Sequence, residues 1–390
     1  MTDIAILGLG TVGNGVYRVI SENGAQIARH LGGSLNIKYV LDLRTFEGHP
    51  LAGAVTKDFD RILADPSVRV VVETMGGLHP AFEYSKAALE AGKNVVTSNK
   101  AVVEAFGTEL SDTAKRHGVF YLYEASVGGG IPLISTLHGS FGANEIIRIA
   151  GILNGTTNFI LARMKKDGAD FESALSVARE RGYAERDPSA DIDGYDTARK
   201  ICILATIASG RKVSLSDCAV IEGIRAVRRE HIEAASALGF VIKLLGVFED
   251  GCVFVAPHLV PCDSILGAVD EVFNAVSITG SAVGEVMLYG QGAGAMPTAS
   301  AIVSDIIESI NGTCPPIDGY DGAKPVSKIM SPSRRFVFLP AGCSFTPPEG
   351  APSVRINGCT AFVAEAGFDT DPVPGIDGAF VCRVLDPKEV

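Results

Sequence analysis

The first thirteen residues restrict the fold of this chain more than any other segment. An apolar, strand-like run from Asp3 to Leu7 leads into Gly8-Leu9-Gly10-Thr11-Val12-Gly13, and a helix-compatible stretch follows. In this context the G-x-G-x-x-G spacing is typical of a dinucleotide-binding unit: the first glycine allows a tight turn, the second lets the backbone approach a pyrophosphate, and the third lets the helix pack on the strand. The phosphates then lie at the positive end of the helix. We predict cofactor-binding residues at Gly8, Gly10, Thr11, Val12 and Gly13.

The sequence leaves the choice of dinucleotide open. The second strand is predicted from Ile37 to Leu41, and it ends at Asp42. An acidic residue at this place commonly binds the ribose hydroxyls in NAD enzymes. Arg44, with help from Lys57, is suited to pair with the 2′-phosphate of NADP instead. The alternative for both basic residues is a solvated surface.

Strand-like and helix-like segments alternate through the next hundred residues, which predicts a parallel sheet with right-handed crossovers. Ligands of such sheets lie beyond the carboxyl ends of the strands. Lys100 and Glu124 both follow predicted strands, so Lys100 is a candidate site residue, or else a loop lysine that faces water. The predicted strands are Val68 to Glu73, Asn94 to Thr97 and Val119 to Tyr123, and the predicted helices are Pro80 to Ala91 and Glu104 to His117.

A charged loop and the apolar helix after it bring three carboxylates close to one lysine. Between Ala178 and Lys200 the chain carries Glu185, Asp191 and Asp196, and Asp193 is a candidate N-cap for a helix that starts near Tyr195. Asp196 and Lys200 are four residues apart, so they share one face of that helix. The alternative without a function is an ordinary surface ion pair, which stabilises the fold by at most about 1 kcal/mol.

Five collinear motifs resemble those of the homoserine dehydrogenase family. They are GLGTVG at the amino terminus, VVTSNKA around Lys100, EASVGGGIP from Glu124, GILNGTTNFIL from Gly151 and the 178–200 run, and the resemblance covers residues 1 to about 325. It implies reversible conversion of L-homoserine to L-aspartate 4-semialdehyde with NAD or NADP. It also implies a role in threonine and methionine biosynthesis, and a homodimer or higher homo-oligomer.

The resemblance also implies roles for individual residues. Lys200 matches the proton donor and acceptor, and Lys100 matches a second lysine near the reacting carbon and the nicotinamide. Glu185 and Asp196 match carboxylates that hold the substrate, chiefly its ammonium, and Asp191 matches an acidic residue of the same site. Gly182 and the glycine-rich segment around Gly292 match segments that approach the cofactor. A structural sodium site is implied at Glu124 with the carbonyls of Val127, Gly129 and Ile131.

The chemistry suits these residue types. Oxidation of a primary alcohol needs a hydride acceptor and a base for the hydroxyl proton, and a lysine serves as base only when its amine is neutral. The substrate ammonium needs an anionic partner, because burying a charge without one is costly. We expect Asn154, Thr156 and Thr157 to bind the substrate carboxylate or to line the junction of the domains.

Three departures from the family pattern stand out. Leu41 replaces the arginine that typically precedes the aspartate after the second strand, which favours NAD or dual use, and His79 stands where glutamate is expected. Residues 331–390 lack the helix pattern of a regulatory ACT domain, although the sequence of residues 371–375 weakly resembles the loop of such a domain. We expect a short β-rich tail and no threonine feedback through such a domain. Its predicted strands are Phe336 to Leu339, Cys359 to Ala364 and Ala379 to Leu385.

We predict an α/β protein of three parts: a Rossmann domain at 1–127, an α+β catalytic and dimerisation domain at 128–321, and a small β-rich appendage at 322–390. The middle domain should hold an antiparallel or mixed sheet. Its predicted strands are Glu145 to Leu153, Leu238 to Phe248 and Val253 to Val260, and its predicted helices are Phe171 to Arg181, Asp196 to Ser209, Ser216 to Ile221, Arg229 to Leu238 and Thr298 to Ile310.

Composition excludes several classes of partner. With 34 basic and 45 acidic residues the net charge is −11, so nucleic acid is not an expected partner. The eight cysteines are scattered without metal-binding spacing, which favours free thiols in a reducing cytoplasm. No segment reads as a signal peptide or a membrane span. Two alternatives remain: another NAD(P)-dependent dehydrogenase of an amino-acid-derived alcohol or aldehyde, and a catalytically silent cofactor-binding regulatory protein.

Overall fold

The computed structural model describes residues 1–313, 326–343, 345–368, 370, 376 and 378–386. They form two units. The first comprises residues 1–143, 206–214 and, within the described part, 290–313; the second comprises residues 144–205, 215–289 and the described residues from 326 onward. The predicted domain boundaries after residues 127 and 321 stay predictions, and residue 321 lies outside the described part.

Fifteen strands are described, and they build two sheets. Those of the first sheet are β1 Thr2–Leu7, β2 Leu35–Leu41, β3 Val55–Thr56, β4 Val68–Glu73, β5 Asn94–Thr97 and β6 Tyr121–Leu122. Those of the second sheet are β7 Ile146–Ile152, β8 Phe240–Glu249, β9 Cys252–Pro261, β10 Phe273–Gly280, β11 Gly284–Gln291, β12 Arg335–Leu339, β13 Ser353–Ile356, β14 Cys359–Ala364 and β15 Phe380–Val384.

Twelve α-helices are described, with short 3-10 turns between some of them. They are α1 Thr11–Glu22, α2 Gly24–Leu31, α3 Phe59–Ala64, α4 Ala81–Glu90, α5 Lys100–His117, α6 Ile134–His138, α7 Gly155–Asp167, α8 Phe171–Glu180, α9 Ser189–Ile192, α10 Tyr195–Ser209, α11 Arg229–Ala237 and α12 Ala295–Asn311.

The first unit confirms the predicted Rossmann architecture. Its sheet is parallel, in the order β3-β2-β1-β4-β5-β6, which is the order of a dinucleotide-binding fold. Strands β4 and β5 have the predicted bounds, and β6 is shorter than predicted. The core of this unit contains Ile4 and Val72 of the sheet together with Ile302 of α12. Helix α12 packs on α1 because Gly15 carries no side chain: a Cβ there would lie 2.7 Å from the Ala295 carbonyl oxygen.

The helix that contains Lys100 begins earlier than predicted. The sequence indicates a start at Glu104, but α5 begins at Lys100. The reason is the side chain of Asn99, whose Oδ1 accepts a hydrogen bond from the Val102 amide at 3.3 Å and so caps the helix. Lys100 is therefore the first residue of a helix rather than a loop lysine.

The second unit is built on a mixed nine-stranded sheet, as predicted for the middle of the chain. Its order is β11-β10-β7-β8-β9-β15-β12-β14-β13. The tail is β-rich as predicted, and its strands extend this sheet instead of forming a separate one, since β15 pairs in parallel with β9. Helix α10 packs closely on the sheet at Gly246, where a Cβ would lie 3.0 Å from the side chains of Thr197 and Ile201.

One predicted helix is wrong, and several elements escaped prediction. In place of a helix from Ser216 to Ile221 there is a 3-10 turn at Leu215–Asp217, after which the Ala219 and Glu222 amides donate to carbonyls of β9 at 2.8 Å. Pairing with a neighbouring strand thus outweighs local helix preference here. The elements not predicted include α7, β10 and β11, together with the short elements α3, α6, α9, β3 and β13. No helix in the described ranges has both the length and the apolar character needed to cross a bilayer.

Candidate active site

The glycine turn of the first unit has the predicted shape. Gly8 has a φ of +92°, a backbone conformation that favours glycine. A Cβ on Gly13 would lie 2.1 Å from the Gly8 carbonyl oxygen, so only glycine fits there. Gly10 caps α1 without a side chain. The unpaired amides of the first turn of α1 are thus available to an anionic phosphate.

Asp42 lies beside this turn. Its Oδ2 accepts a hydrogen bond from the Leu9 amide at 2.9 Å, so the end of β2 is tied to the glycine loop. Arg44 folds back onto the same carboxylate, with Nε 3.0 Å from Oδ1 and Nη2 2.8 Å from Oδ2. The hydrogen bonds from Arg44 hold the pKa of Asp42 far below its usual range, so the carboxylate is charged at neutral pH.

A hydrogen-bond relay at the carboxyl ends of β4 and β5 leads to Lys100. Glu73 is fully buried, and its carboxylate accepts from the Thr97 hydroxyl at 2.6 Å; burial raises the pKa of Glu73. The Thr97 hydroxyl accepts from the Asn99 amide at 2.9 Å, and Asn99 Nδ2 donates to the Gly77 carbonyl at 2.7 Å. Because Asn99 caps α5, this relay fixes the position of the residue that directly precedes Lys100. Sequence reasoning did not single out Glu73.

Glu124, predicted as a cation ligand, has an unusually enclosed carboxylate. It is 6% exposed and accepts backbone N–H bonds from Leu133 at 2.7 Å, Ile134 at 2.9 Å and Ser135 at 2.7 Å. Its own amide donates to the buried carboxylate of Asp305 at 3.0 Å. Burial raises the pKa of Glu124, and the pKa of Asp305 is raised by burial and by the neighbouring Glu124.

The remaining residues of the predicted cation site lie in the same segment. Val127 and Ile131 are buried, and Gly129 has a φ of +58°. A Cβ on Gly129 would lie 2.6 Å from the Gly292 carbonyl carbon. The glycine-rich segment around Gly292, which is predicted to approach the cofactor, therefore runs beside the predicted cation site. Within the described residues, no group of three or more histidine, cysteine or acidic side chains is arranged to hold a metal ion.

In the second unit the predicted lysine and two predicted carboxylates meet. Lys200 is 8% exposed, and its Nζ donates to Asp196 Oδ2 and to the Leu153 carbonyl, both at 2.7 Å. Asp196 is 3% exposed, so this is a buried ion pair. The alternative interpretation as a surface ion pair is therefore wrong. A buried pair of this kind contributes little net stability but is costly to break.

Asn154 joins the two aspartates. Its Nδ2 donates to Asp191 Oδ1 at 2.7 Å and to Asp196 Oδ2 at 2.9 Å, while its Oδ1 accepts from the Thr157 amide at 2.8 Å and caps α7. We expected Asn154 to bind the substrate carboxylate or to line a domain junction; here its amide binds two carboxylates of the protein. The sequence signal was the Asn-Gly-Thr-Thr run, which is typical of a helix start.

Two other predicted residues of the acidic run face solvent. Glu185 and Gly182 are exposed to solvent, so their predicted roles stay predictions. Asp193 is not the N-cap of α10: the helix starts at Tyr195 as predicted, but Gly194 supplies the first carbonyl, which accepts from the Ala198 amide at 2.9 Å. The Asp193 carboxylate is bound instead by the guanidinium of Arg225.

Comparison with known proteins finds a matching family model for each of two parts of the chain. Residues 132–307 match the family model of homoserine dehydrogenase, and residues 8–124 match the model of the homoserine dehydrogenase NAD binding domain. The homoserine dehydrogenase of Synechocystis sp. is 45% identical over 319 residues, which are 79% of this chain and 73% of the relative. That of Bacillus subtilis is 41% identical over 311 residues, 78% and 72% of the two chains.

Solved structures give the same result. The crystal structure of a homoserine dehydrogenase from Thiobacillus denitrificans superposes with a TM-score of 0.88 at 32% identity over 99% of both chains. A hyperthermophilic archaeal homoserine dehydrogenase in complex with NADPH gives a TM-score of 0.70 at 28% identity, over 81% of this chain and 99% of the other. The chain therefore belongs to the homoserine dehydrogenase family of NAD(P)-dependent oxidoreductases.

Proposed function

We propose that this chain interconverts L-homoserine and L-aspartate 4-semialdehyde with NAD(P), and that Lys200 moves the proton. The observation that carries the proposal is the buried Lys200 amine, fixed at 2.7 Å from both the Asp196 carboxylate and the Leu153 carbonyl. Family membership supports the reaction, and this fixed amine supports the assignment of the proton donor and acceptor.

The nicotinamide, when bound, supplies the acceptor or donor of hydride. In homoserine oxidation the neutral Lys200 amine accepts the hydroxyl proton. In the reverse direction the ammonium form stabilises the developing alkoxide and returns the proton to it. Asp196 and the Leu153 carbonyl hold the nitrogen in one place, because both accept its N–H bonds. We propose that Lys100, at the start of α5, acts near the reacting carbon and the nicotinamide.

The substrate ammonium is proposed to bind the carboxylates of the acidic loop. Asp191 and Asp196 are held side by side by the Asn154 amide, so their negative charges converge on one place. Such a pair offsets the cost of removing an ammonium from water. Glu185, exposed on the same loop, is proposed to complete the set, and Gly182 is proposed to touch the cofactor.

A spectrophotometric assay tests the proposal. Purified protein given L-homoserine together with NAD or NADP should form both a semialdehyde and NADH or NADPH. Turnover of other amino-acid-derived alcohols but not of homoserine would point to a different dehydrogenase. Binding of NAD(P) without turnover of any alcohol would point to a regulatory protein.

The cofactor preference is proposed to depend on Asp42. Replacing Asp42 by alanine removes a charged acceptor for the ribose hydroxyls and frees Arg44 to pair with a 2′-phosphate. We expect KM for NAD to rise by about 10- to 100-fold, the equivalent of one charged hydrogen bond, while KM for NADP stays constant or falls. Steady-state kinetics with both cofactors measure this.

Asp60→Ala, which removes an exposed carboxylate from the same unit, is the matched control and should leave both constants unchanged. An equal rise of KM for NAD and NADP in Asp42→Ala would show that Asp42 acts only through the glycine loop, by its bond to Leu9.

A structural sodium ion is proposed at the segment from Glu124 to Ile131. The residues fit such an ion: Glu124, Val127 and Ile131 are buried, and the segment offers hard oxygen donors. The carbonyls of Val127, Gly129 and Ile131 with Glu124 would hold it.

Exchange of sodium chloride for choline chloride at equal ionic strength should lower Tm by about 2–5 °C, because an ion that binds only the folded state stabilises it. Turnover below Tm should continue, since the ion takes no part in proton transfer. Thermal unfolding in the two salts measures the effect, and identical Tm values would exclude the sodium site.

The wider assignments are proposals as well. Membership of the family supports a role in threonine and methionine biosynthesis. The free state of the described cysteines supports a reducing cytoplasm. A homodimer is supported by exposed apolar side chains of the second unit, Ile265, Val283 and Tyr289. The weak resemblance to an ACT loop at residues 371–375 lies outside the described residues.

A further inference from the structure

One face of the sheet in the second unit carries a row of basic residues that the proposed reaction does not use. His258 of β9 pairs in register with Lys243 of β8 and with Arg383 of β15, and Arg383 pairs with Arg335 of β12. Directly paired residues project to the same face of a sheet, and like charges placed opposite each other are destabilising. This row therefore places the guanidinium groups of Arg335 and Arg383 opposite each other, at a cost to the fold.

Two arginines at this row and beside it are buried without full hydrogen bonding. Arg148 and Arg383 are each 5% exposed. Arg148 Nη1 donates to the Asp386 carbonyl at 2.8 Å, and Arg383 Nη2 donates to the Ser331 carbonyl at 2.6 Å. Arg148 Nε and Arg383 Nη1 are buried with no hydrogen-bond partner among the described residues. Buried charged donors without an acceptor are costly, so these N–H groups call for an anion.

Within the part of the chain that the structure describes, the nearby carboxylates accept no hydrogen bond from Arg148 Nε or Arg383 Nη1. The Glu249 and Glu285 carboxylates lie 4.0 Å and 3.9 Å from the Arg148 guanidinium, beyond hydrogen-bond distance. The Asp386 carboxylate is bound by Arg334, with Nε at 2.8 Å.

The two arginines line one cavity of about 180 Å³, together with Glu249, His258, Ser331 and Ser333. Ser333 Oγ is also buried and lacks a partner among the described residues. His258 adds no charge, because burial lowers its pKa to about 4. The volume admits a small anion and is below the 300 Å³ or more typical of drug-sized ligands.

The cavity is separate from the cluster around Lys200. Gly246 of β8 faces α10, which carries Lys200, whereas the next residue, Val247, lines the cavity. Successive residues of a strand point to opposite faces of a sheet, so the sheet lies between the cavity and α10.

We propose that this arginine cavity is a binding site for a small oxyanion, a carboxylate or a phosphate, held by Arg148, Arg383 and Ser333. Guanidinium groups are well suited to it, because they are weakly hydrated and present paired N–H donors that match oxyanions. The site includes residues of the tail, so its occupation would also fasten the tail to the sheet.

Calorimetric titration of the full chain tests the proposal. The protein is first saturated with NAD, which covers the phosphate-binding turn of α1, and is then titrated with inorganic phosphate and separately with acetate. We expect saturable one-to-one binding of at least one probe in the millimolar range or tighter. The tighter probe identifies the phosphate or carboxylate class, and absence of saturable binding of both overturns the proposal.

Variants locate the site. Arg383→Met should weaken binding by at least about tenfold, the loss of one charged hydrogen bond, and Ser333→Ala should weaken it about threefold. Arg355→Met, which changes an exposed arginine on another strand of the same sheet, should bind like the parent protein and keep its turnover. If Arg383→Met fails to fold by circular dichroism, Ser333→Ala decides. Unchanged affinity in the folded cavity variants would overturn the proposal.

Discussion

Replacing Lys200 by arginine should lower kcat for L-homoserine oxidation by about 10²- to 10⁴-fold, the contribution expected from a positioned general base. Arginine keeps a positive charge opposite Asp196, so a buried ion pair with Asp196 can still form. A guanidinium stays protonated in proteins, however, and cannot accept the hydroxyl proton. NAD binding should change little, because the glycine turn belongs to the first unit. Stopped-flow and steady-state kinetics, with NAD affinity measured by fluorescence, test both halves of this expectation.

Lys200→Met is a second variant with a different expected cost. It removes the charge and leaves Asp196 buried without its cation, so the free energy of unfolding should fall by up to about 3–5 kcal/mol along with activity. Lys166→Met, at an exposed position of α7, is the matched control and should leave both quantities unchanged. Turnover of Lys200→Arg at the parent rate would contradict the proton-transfer assignment, whatever its stability.

The first unit shows how much of the fold a local pattern contains. The turn at Gly8 and Gly13 could be predicted because steric exclusion of any side chain is a property of a few neighbouring residues. The bounds of β4 and β5 followed from short apolar runs closed by polar residues. The contribution of α12 to the same core could not be predicted, because its packing on α1 joins segments about 280 residues apart in the sequence and needs Gly15 to face Ala295.

In the candidate site, too, contacts within one helix could be predicted, whereas burial and contacts between distant segments could not. The spacing of Asp196 and Lys200 placed them on one face of α10, and the structure confirms their pairing. Burial could not be predicted from spacing, and it is burial that turns this pair from a surface contact into a fixed charge cluster. Nor could local sequence reveal that the 215–222 segment pairs with β9 rather than forming a helix, since the partner strand lies some thirty residues further on.

Asn154 presents the second large expected effect. Its side chain does two things at once: Oδ1 caps α7, and Nδ2 bridges Asp191 and Asp196. Serine and aspartate cap helices about as well as asparagine does. Asn154→Ser and Asn154→Asp therefore keep the cap and remove the bridge, so they separate a structural role from a role in the site.

For Asn154→Ser we expect kcat/KM for L-homoserine to fall by about 100-fold, because two hydrogen bonds to charged acceptors are lost and the aspartates are no longer held side by side. Its free energy of unfolding should fall by only about 1–3 kcal/mol, because the buried Asp196 carboxylate loses one donor while the cap on α7 is kept. Lys166→Met, at an exposed position of the same helix, is the control and should leave both quantities unchanged.

Asn154→Asp should be more severe, and it should alter the pH dependence as well as the rate. A third carboxylate beside Asp191 and Asp196 favours the charged form of the Lys200 ammonium, so a higher pH is needed to generate the neutral base. The rising limb of the pH profile for homoserine oxidation should therefore move to higher pH in Asn154→Asp and stay near its parent position in Asn154→Ser. A role confined to capping α7 would move neither kcat/KM nor the pH profile in these two variants, and that result would remove Asn154 from the site.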